Sequence, residues 1–227
     1  MNAKTKNNKE PVCTNNNKQA GPDLPHRKTL VIGLTGGVAT GKSTVAGMLA
    51  ELGARVLSAD DVVHELMSPK SEVWKAIVTE FGKEILKPDG NIDRATLGRI
   101  VFNDPKKKAR LEQIIHPPVL QYLAREVEEF RAKGAGVLVL EIPLLVETSS
   151  ISLVDKVLVV NAEQERQIER LQYRYGINTS EAMARIRSQL PIADKLKIAD
   201  FIISADDSLE ETKDQVRRLW TSIKKLF

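Results

Sequence analysis

The chain has 227 residues, 42% of them hydrophobic, with one cysteine and a formal net charge of +4. That length holds one α/β domain plus an insertion with ample core, and the lone Cys13 excludes an internal disulfide and fits a reducing cytosol. The longest apolar candidate, Val137 to Val146, is interrupted by Glu141, so a membrane span is not expected.

The N-terminal segment, 1–28, is rich in Asn, Lys and Pro, has few large apolar residues and lacks the apolar stretch of a secretion signal. It is expected to be a disordered extension, because it buries too little surface to offset its ordering entropy; the alternative is a basic tether to an acidic partner. Six basic groups and two acidic ones lie in this segment, whereas residues 29–227 balance at 28 of each. The basic excess therefore belongs to the tail, which argues against a nucleic-acid-binding body. A cytoplasmic protein without nucleic-acid or membrane partners is expected, as a monomer or weak homo-oligomer.

The apolar run Leu30-Val31-Ile32-Gly33-Leu34 predicts a first strand, and Gly36-Gly37-Val38-Ala39-Thr40-Gly41-Lys42-Ser43 follows it. This is the G-x-x-x-x-G-K-[ST] phosphate-binding loop in its strand–loop–helix setting. Glycines let the backbone turn with positive φ and bring N–H groups close to phosphate oxygens. A helix from Lys42 to about Glu51 would aim its positive end at the same anion. Lys42 would reach the β- and γ-phosphates and the Ser43 hydroxyl would ligate Mg²⁺. A nucleoside triphosphate is the implied ligand.

Gly53 ends that helix, and residues 54–58 read as a second strand with Asp60 and Asp61 beyond its C-terminal end. In an open parallel sheet this edge binds ligands. One of the two carboxylates is expected to cap a helix over Val62 to Met67 and the other to be free for chemistry. Residues 68–133 are largely helical: Glu72 to Phe81, a turn at Lys87-Pro88-Asp89-Gly90, a helix capped by Asp93, and one capped by Asp104 with Pro105 at its first position. His116-Pro117-Pro118 should break that last helix near Ile115, leaving a separate helix over 119–133, with His116 either a packed or capping residue or aimed into a cleft. So long a block between strands predicts an inserted substrate-binding region, about 62–133.

Residues 136–142 predict a third strand ending in Glu141, the pattern of a Mg²⁺-side acid near a phosphate loop. After a fourth strand (155–161), a helix over 162–175 carries Arg166, Arg170 and Arg174 on one face. With Glu165 and Glu169 also present, this is either a salt-bridged solvent face or a lid, about 163–195, that stabilises charge during transfer. A fifth strand (200–204) precedes a capping box, Ser208 to Glu211, and a terminal helix with an apolar stripe at Val216, Leu219, Trp220 and Ile223. The expected architecture is an α/β phosphate-loop NTPase-type fold over 29–227: a parallel five-stranded sheet wrapped by helices. GTPase D-x-x-G and N-K-x-D motifs are absent, and a small-molecule kinase suits the layout.

The chain resembles dephospho-CoA kinases. The resemblance rests on Gly33-Leu34-Thr35-Gly36-Gly37 through Lys42-Ser43-Thr44, Ala59-Asp60 with His64, Leu111-Glu112 through His116-Pro117, and Ile142-Pro143-Leu144-Leu145 with Glu147. It continues through Gln167, Arg170-Leu171, Arg174, Arg185-Ile186, Gln189-Leu190-Pro191, Lys195 and Ala199-Asp200. Ala39, Glu141 and Val146 stand where such proteins usually carry Gly, Asp and Phe, and an Asn-bearing segment usual near Ser204 is missing. The resemblance implies ATP-dependent phosphorylation of the ribose 3′-hydroxyl of dephospho-CoA, the last step of coenzyme A biosynthesis; another small acceptor, such as a nucleoside monophosphate, is the alternative. It further implies nucleotide binding by Gly37, Val38, Ala39, Thr40, Gly41, Lys42, Ser43 and Thr44, and Mg²⁺ at Ser43 and Glu141. Asp60, Lys42, Arg170 and Arg174 would act in transfer, and His64, His116, Leu144 and Glu147 would bind the acceptor. Lid and insertion are expected to close together and exclude water.

Overall fold

The computed structural model describes residues 29–226 apart from 103 and 149; the expected tail and Cys13 lie outside the described residues. At the centre is β1 (Thr29–Gly36), flanked in parallel by β3 (Gly136–Glu141) and β4 (Lys156–Asn161). β2 (Arg55–Ser58) and β5 (Phe201–Ser204) complete a five-stranded sheet in the order β2-β3-β1-β4-β5. The inner strands are almost uninterrupted apolar runs because both of their faces are covered. Leu30, Ile32 and Leu34 face one way, into a core closed by α1 (Lys42–Glu51) and α9 (Leu209–Ile223). The terminal stripe at Val216, Leu219, Trp220 and Ile223 is buried there, as its spacing predicts, and the Ser208–Glu211 capping box is formed.

The described chain divides into two compact units. One comprises the residues up to Val56 and from Gly134 onward, and the other is Leu57–Lys133. The first also holds α6 (Gln164–Tyr175), α7 (Thr179–Arg187) and α8 (Ile192–Lys197). A capping box between Asn178 and Glu181 opens α7.

The second unit is helical: α2 (Ala59–Leu66), α3 (Glu72–Phe81), α4 (Arg94–Phe102) and α5 (Pro105–Lys133). It has its own apolar cluster around Ile77, Phe81, Ile85 and Leu97, against which Leu111, Ile114 and Ile115 of α5 pack. Asp93 caps α4 by accepting the Ala95 and Thr96 amides and the Thr96 hydroxyl, bonds that hold its carboxyl below the usual carboxylate range. Asp104 accepts the Lys106 and Lys107 amides at the start of α5.

Two expectations fail here. The cap of α2 is neither Asp60 nor Asp61 but Ser58, whose hydroxyl accepts the Asp61 amide. The helix starts directly at the end of β2, so both carboxylates fall in its first turn, where the helix dipole favours negative charge. Second, the prolines do not break α5, which runs continuously over 29 residues with Pro117 and Pro118 inside it. Each proline deprives a carbonyl four residues back of its donor, yet Ile114 and Ile115 pack on one side and Val119 and Leu123 are buried on the other. Burial of these apolar side chains, at about 1.5–3 kcal/mol each where complete, offsets the roughly 3 kcal/mol cost of each of the two interior prolines.

Replacing Pro117 and Pro118 together by alanine restores two helical donors. The variant should gain about 1 kcal/mol or more of stability, a melting temperature some 2–4 °C higher for a chain of this size. Thermal unfolding followed by circular dichroism checks it; a lower melting temperature would show that the rings themselves fill needed space.

Candidate active site

The phosphate loop sits where β1 meets α1, and its glycines answer to contacts. A Cβ on Gly36 would stand 2.2 Å from the Val160 carbonyl oxygen of β4, and one on Gly37 would stand 3.0 Å from the Gln167 amide oxygen. Gly41 has φ +95° and occupies the cap position of α1, where it offers no capping side chain. The loop thus leaves the positive end of α1 to an anion. Ala39 holds φ +56° without being glycine, a left-handed conformation that costs an L-residue about 1 kcal/mol.

Side chains then brace the loop against its own carbonyls. Thr40 donates to Gly37 O at 3.0 Å, and Lys42 Nζ donates to Gly37 O at 2.7 Å and to Gly36 O at 3.4 Å. Gln167, buried on α6, donates to Ala162 O and lies against Gly37. Ser43 Oγ donates to Glu141 Oε1 at 2.7 Å. The register that pairs Leu34 with Glu141 brings this carboxylate to the same end of the sheet.

The hydroxyl and carboxylate fit Mg²⁺ by donor chemistry. Both are hard oxygen ligands, and this ion commonly takes one or two protein carboxylates with substrate phosphates and waters rather than a full protein cage. No cluster of three or more His, Cys, Asp or Glu side chains suited to a metal is found among the described residues.

The three arginines of α6 have separate surroundings. Arg166 pairs with Glu169 at 3.0 Å on the solvent face, as the salt-bridged reading expects. Arg170 spans two backbone carbonyls, Ala39 of the phosphate loop at 3.2 Å and Ala205 just after β5. Arg174 lies over the Tyr175 ring, 5.4 Å from its centroid, with Arg185 of α7 at 4.7 Å from the same ring. Helical periodicity placed the three on one face; only the tertiary structure separates a surface pair, a loop brace and a stacked cation.

In the loop after β3, Leu144 is half-buried and its carbonyl accepts the Thr148 hydroxyl. Glu147 is engaged within the protein: Oε1 pairs with Lys195 Nζ at 3.0 Å and accepts the Leu190 amide at 3.2 Å. In the helical unit, Asp60 and His64 are exposed on α2. His116 is half-buried within α5, so its expected placement at a helix break does not hold. Sequence reasoning assigned no role to Gln167 or Lys195, although both stand in the motif series.

The family profile of dephospho-CoA kinases matches residues 30–211. A dephospho-CoA kinase of Carboxydothermus hydrogenoformans is 43% identical over 82% of this chain and 90% of its own length. The solved dephospho-CoA kinase from Campylobacter jejuni superposes with a TM-score of 0.67 at 30% identity, covering 87% of this chain and 98% of that one. A shikimate kinase from Bacteroides thetaiotaomicron shares the fold alone: TM-score 0.52, 16% identity, 86% of this chain and 98% of the other. The chain belongs to the dephospho-CoA kinase family.

Arg170 and Arg174 should separate in stability measurements. Arg170→Ala removes donors to two loop carbonyls and should cost about 1–3 kcal/mol. Arg174→Ala, on an exposed ring stack, should stay within about 0.5–1 kcal/mol of the parent. Denaturant unfolding of the ligand-free protein checks this; equal losses would contradict the loop-brace assignment of Arg170.

Proposed function

We propose that this chain transfers the γ-phosphoryl group of ATP to the ribose 3′-hydroxyl of dephospho-CoA, completing coenzyme A. Membership of the family supports the acceptor, and the Ser43–Glu141 hydrogen bond beside a glycine-shaped phosphate loop is the observation that carries the chemistry. Phosphoryl transfer demands positioning and charge neutralisation more than covalent catalysis, and the residues divide those tasks.

The backbone of Gly37 to Thr44 cradles the phosphates, with the positive end of α1 behind it. Lys42 exchanges its carbonyl partners for β- and γ-phosphate oxygens. Ser43 and Glu141 would hold Mg²⁺, which would supply neutralisation of the phosphate charge. Arg170, spanning Ala39 and Ala205, keeps the loop in shape, which leaves Arg174 to meet charge developing on the transferred group. Asp60 accepts the proton of the attacking hydroxyl; His64, His116, Leu144 and the second oxygen of Glu147 bind the acceptor. The acceptor is small, so the balanced charge of residues 29–227 suits the reaction, and the cytoplasm is its setting.

ADP release with Mg-ATP, compared across dephospho-CoA, AMP, thymidylate and shikimate, tests the assignment. Turnover should be rapid with dephospho-CoA alone; faster turnover with another acceptor would overturn it. Asp60→Asn should keep ATP affinity and lose about 10² or more in kcat, the reach of a general base. Near-normal turnover would remove Asp60 from the mechanism.

A further inference from the structure

Lys195 on α8 is the largest fully buried side chain with a charge, at 0% exposure. An ammonium in that position requires partners, and the site supplies two. Nζ donates to the Pro143 carbonyl at 2.8 Å and pairs with Glu147 at 3.0 Å. The Pro143 carbonyl also accepts the hydroxyl of Thr35 at 3.0 Å. Thr35 is itself fully buried and immediately precedes Gly36 of the phosphate loop.

Pro143 stands two residues after Glu141. The intervening Ile142 amide donates to Leu34 O at 2.9 Å, continuing the β1–β3 ladder past its last paired strand residue. One carbonyl therefore joins three segments: the end of β1 that leads into the phosphate loop, the end of β3 that carries Glu141, and α8. Through Glu147 the same lysine reaches the Leu190 amide, at the turn between α7 and α8.

We infer that Lys195 is a positioning residue: by holding the Pro143 carbonyl, it fixes the backbone that presents the Glu141 carboxylate to Ser43 and to the metal on the nucleotide. Its ammonium donates to the carbonyl and to the carboxylate at once, and Glu147 neutralises the charge that Lys195 carries into the interior. This inference rests on reading Ser43 and Glu141 as the Mg²⁺-side pair.

The test is calorimetric titration of the full chain with ATP, in EDTA and in Mg²⁺, alongside thermal melting. The wild-type protein should bind ATP more tightly in Mg²⁺. Glu141→Gln should lose that increment, which examines the premise separately; an undiminished increment there would overturn both premise and inference. The variant Lys195→Met with Glu147→Gln removes both charges, leaves no buried charge unpaired and keeps an acceptor for the Leu190 amide. It should retain metal-free ATP affinity within about twofold and lose about 10-fold or more of the Mg²⁺ increment, the range seen when groups supporting metal ligands are altered. A retained increment would overturn the inference, whatever the melting temperature. Equal loss of affinity with and without Mg²⁺ would also overturn it, since the pair would then support the loop as a whole. Thr35→Val removes the second donor to the same carbonyl without touching the charges, and it decides the matter if the double variant does not fold. It should reduce the increment about threefold, and an unchanged increment would count against the carbonyl as the point of control.

Discussion

The hydrogen bond from Ser43 to Glu141, at 2.7 Å, requires agreement among a loop, a helix and a strand pair. Ser43 is the second residue of α1, and the course of α1 depends on the turn that begins at Gly36. That turn presses so closely on β4 that any side chain at 36 would meet the Val160 carbonyl. Glu141 is the last residue of β3 and pairs with Leu34 of β1. Because side chains alternate along a strand, a one-residue slip would send this carboxylate to the opposite face of the sheet. The strand order β3-β1-β4 thus sets hydroxyl and carboxylate side by side, and the apolar runs of those strands hold the order in place.

Cationic and hydroxyl side chains around this centre spend their donors on main-chain carbonyls. Lys42 and Thr40 hold Gly37, Arg170 holds Ala39 and Ala205, and Lys195 and Thr35 hold Pro143. Carbonyls at the ends of strands and in tight loops lack ladder partners, and these donors supply them. The result is a site whose dipoles are oriented before substrate arrives, which lowers the reorganisation needed during transfer. It also explains how Ala39 keeps a left-handed backbone at a position where glycine would be easier: its carbonyl is held by Arg170 across 131 residues of sequence.

Much of this was legible in the amino-acid order, where local chemistry dictates the outcome. The phosphate loop, the helix over Glu72 to Phe81, the Asp93 and Asp104 caps and the terminal stripe each follow from spacing over a few residues. Glu141 was legible because an acid ending a buried strand gains meaning beside a phosphate loop. The misses share a cause, which is tertiary packing overriding a local rule. Ser58 caps α2 because β2 ends there without a linking turn, so the acids behind it enter the helix. Pro117 and Pro118 lie inside α5 because apolar residues on both sides are buried. Lys195 carries no local sign of burial; its partners Pro143 and Glu147 lie some fifty residues earlier and meet it only once the sheet is assembled. The three arginines of α6 show the same limit, since periodicity assigns a face but not a partner.

In this reaction phosphate moves from ATP to one particular hydroxyl. Phosphorus NMR of the product formed from dephospho-CoA and Mg-ATP reads that position directly. A single new phosphate monoester resonance coupled to the ribose H3′ proton should grow in step with ADP. A monoester coupled to any other proton, or ADP accompanied only by free phosphate, would contradict that transfer.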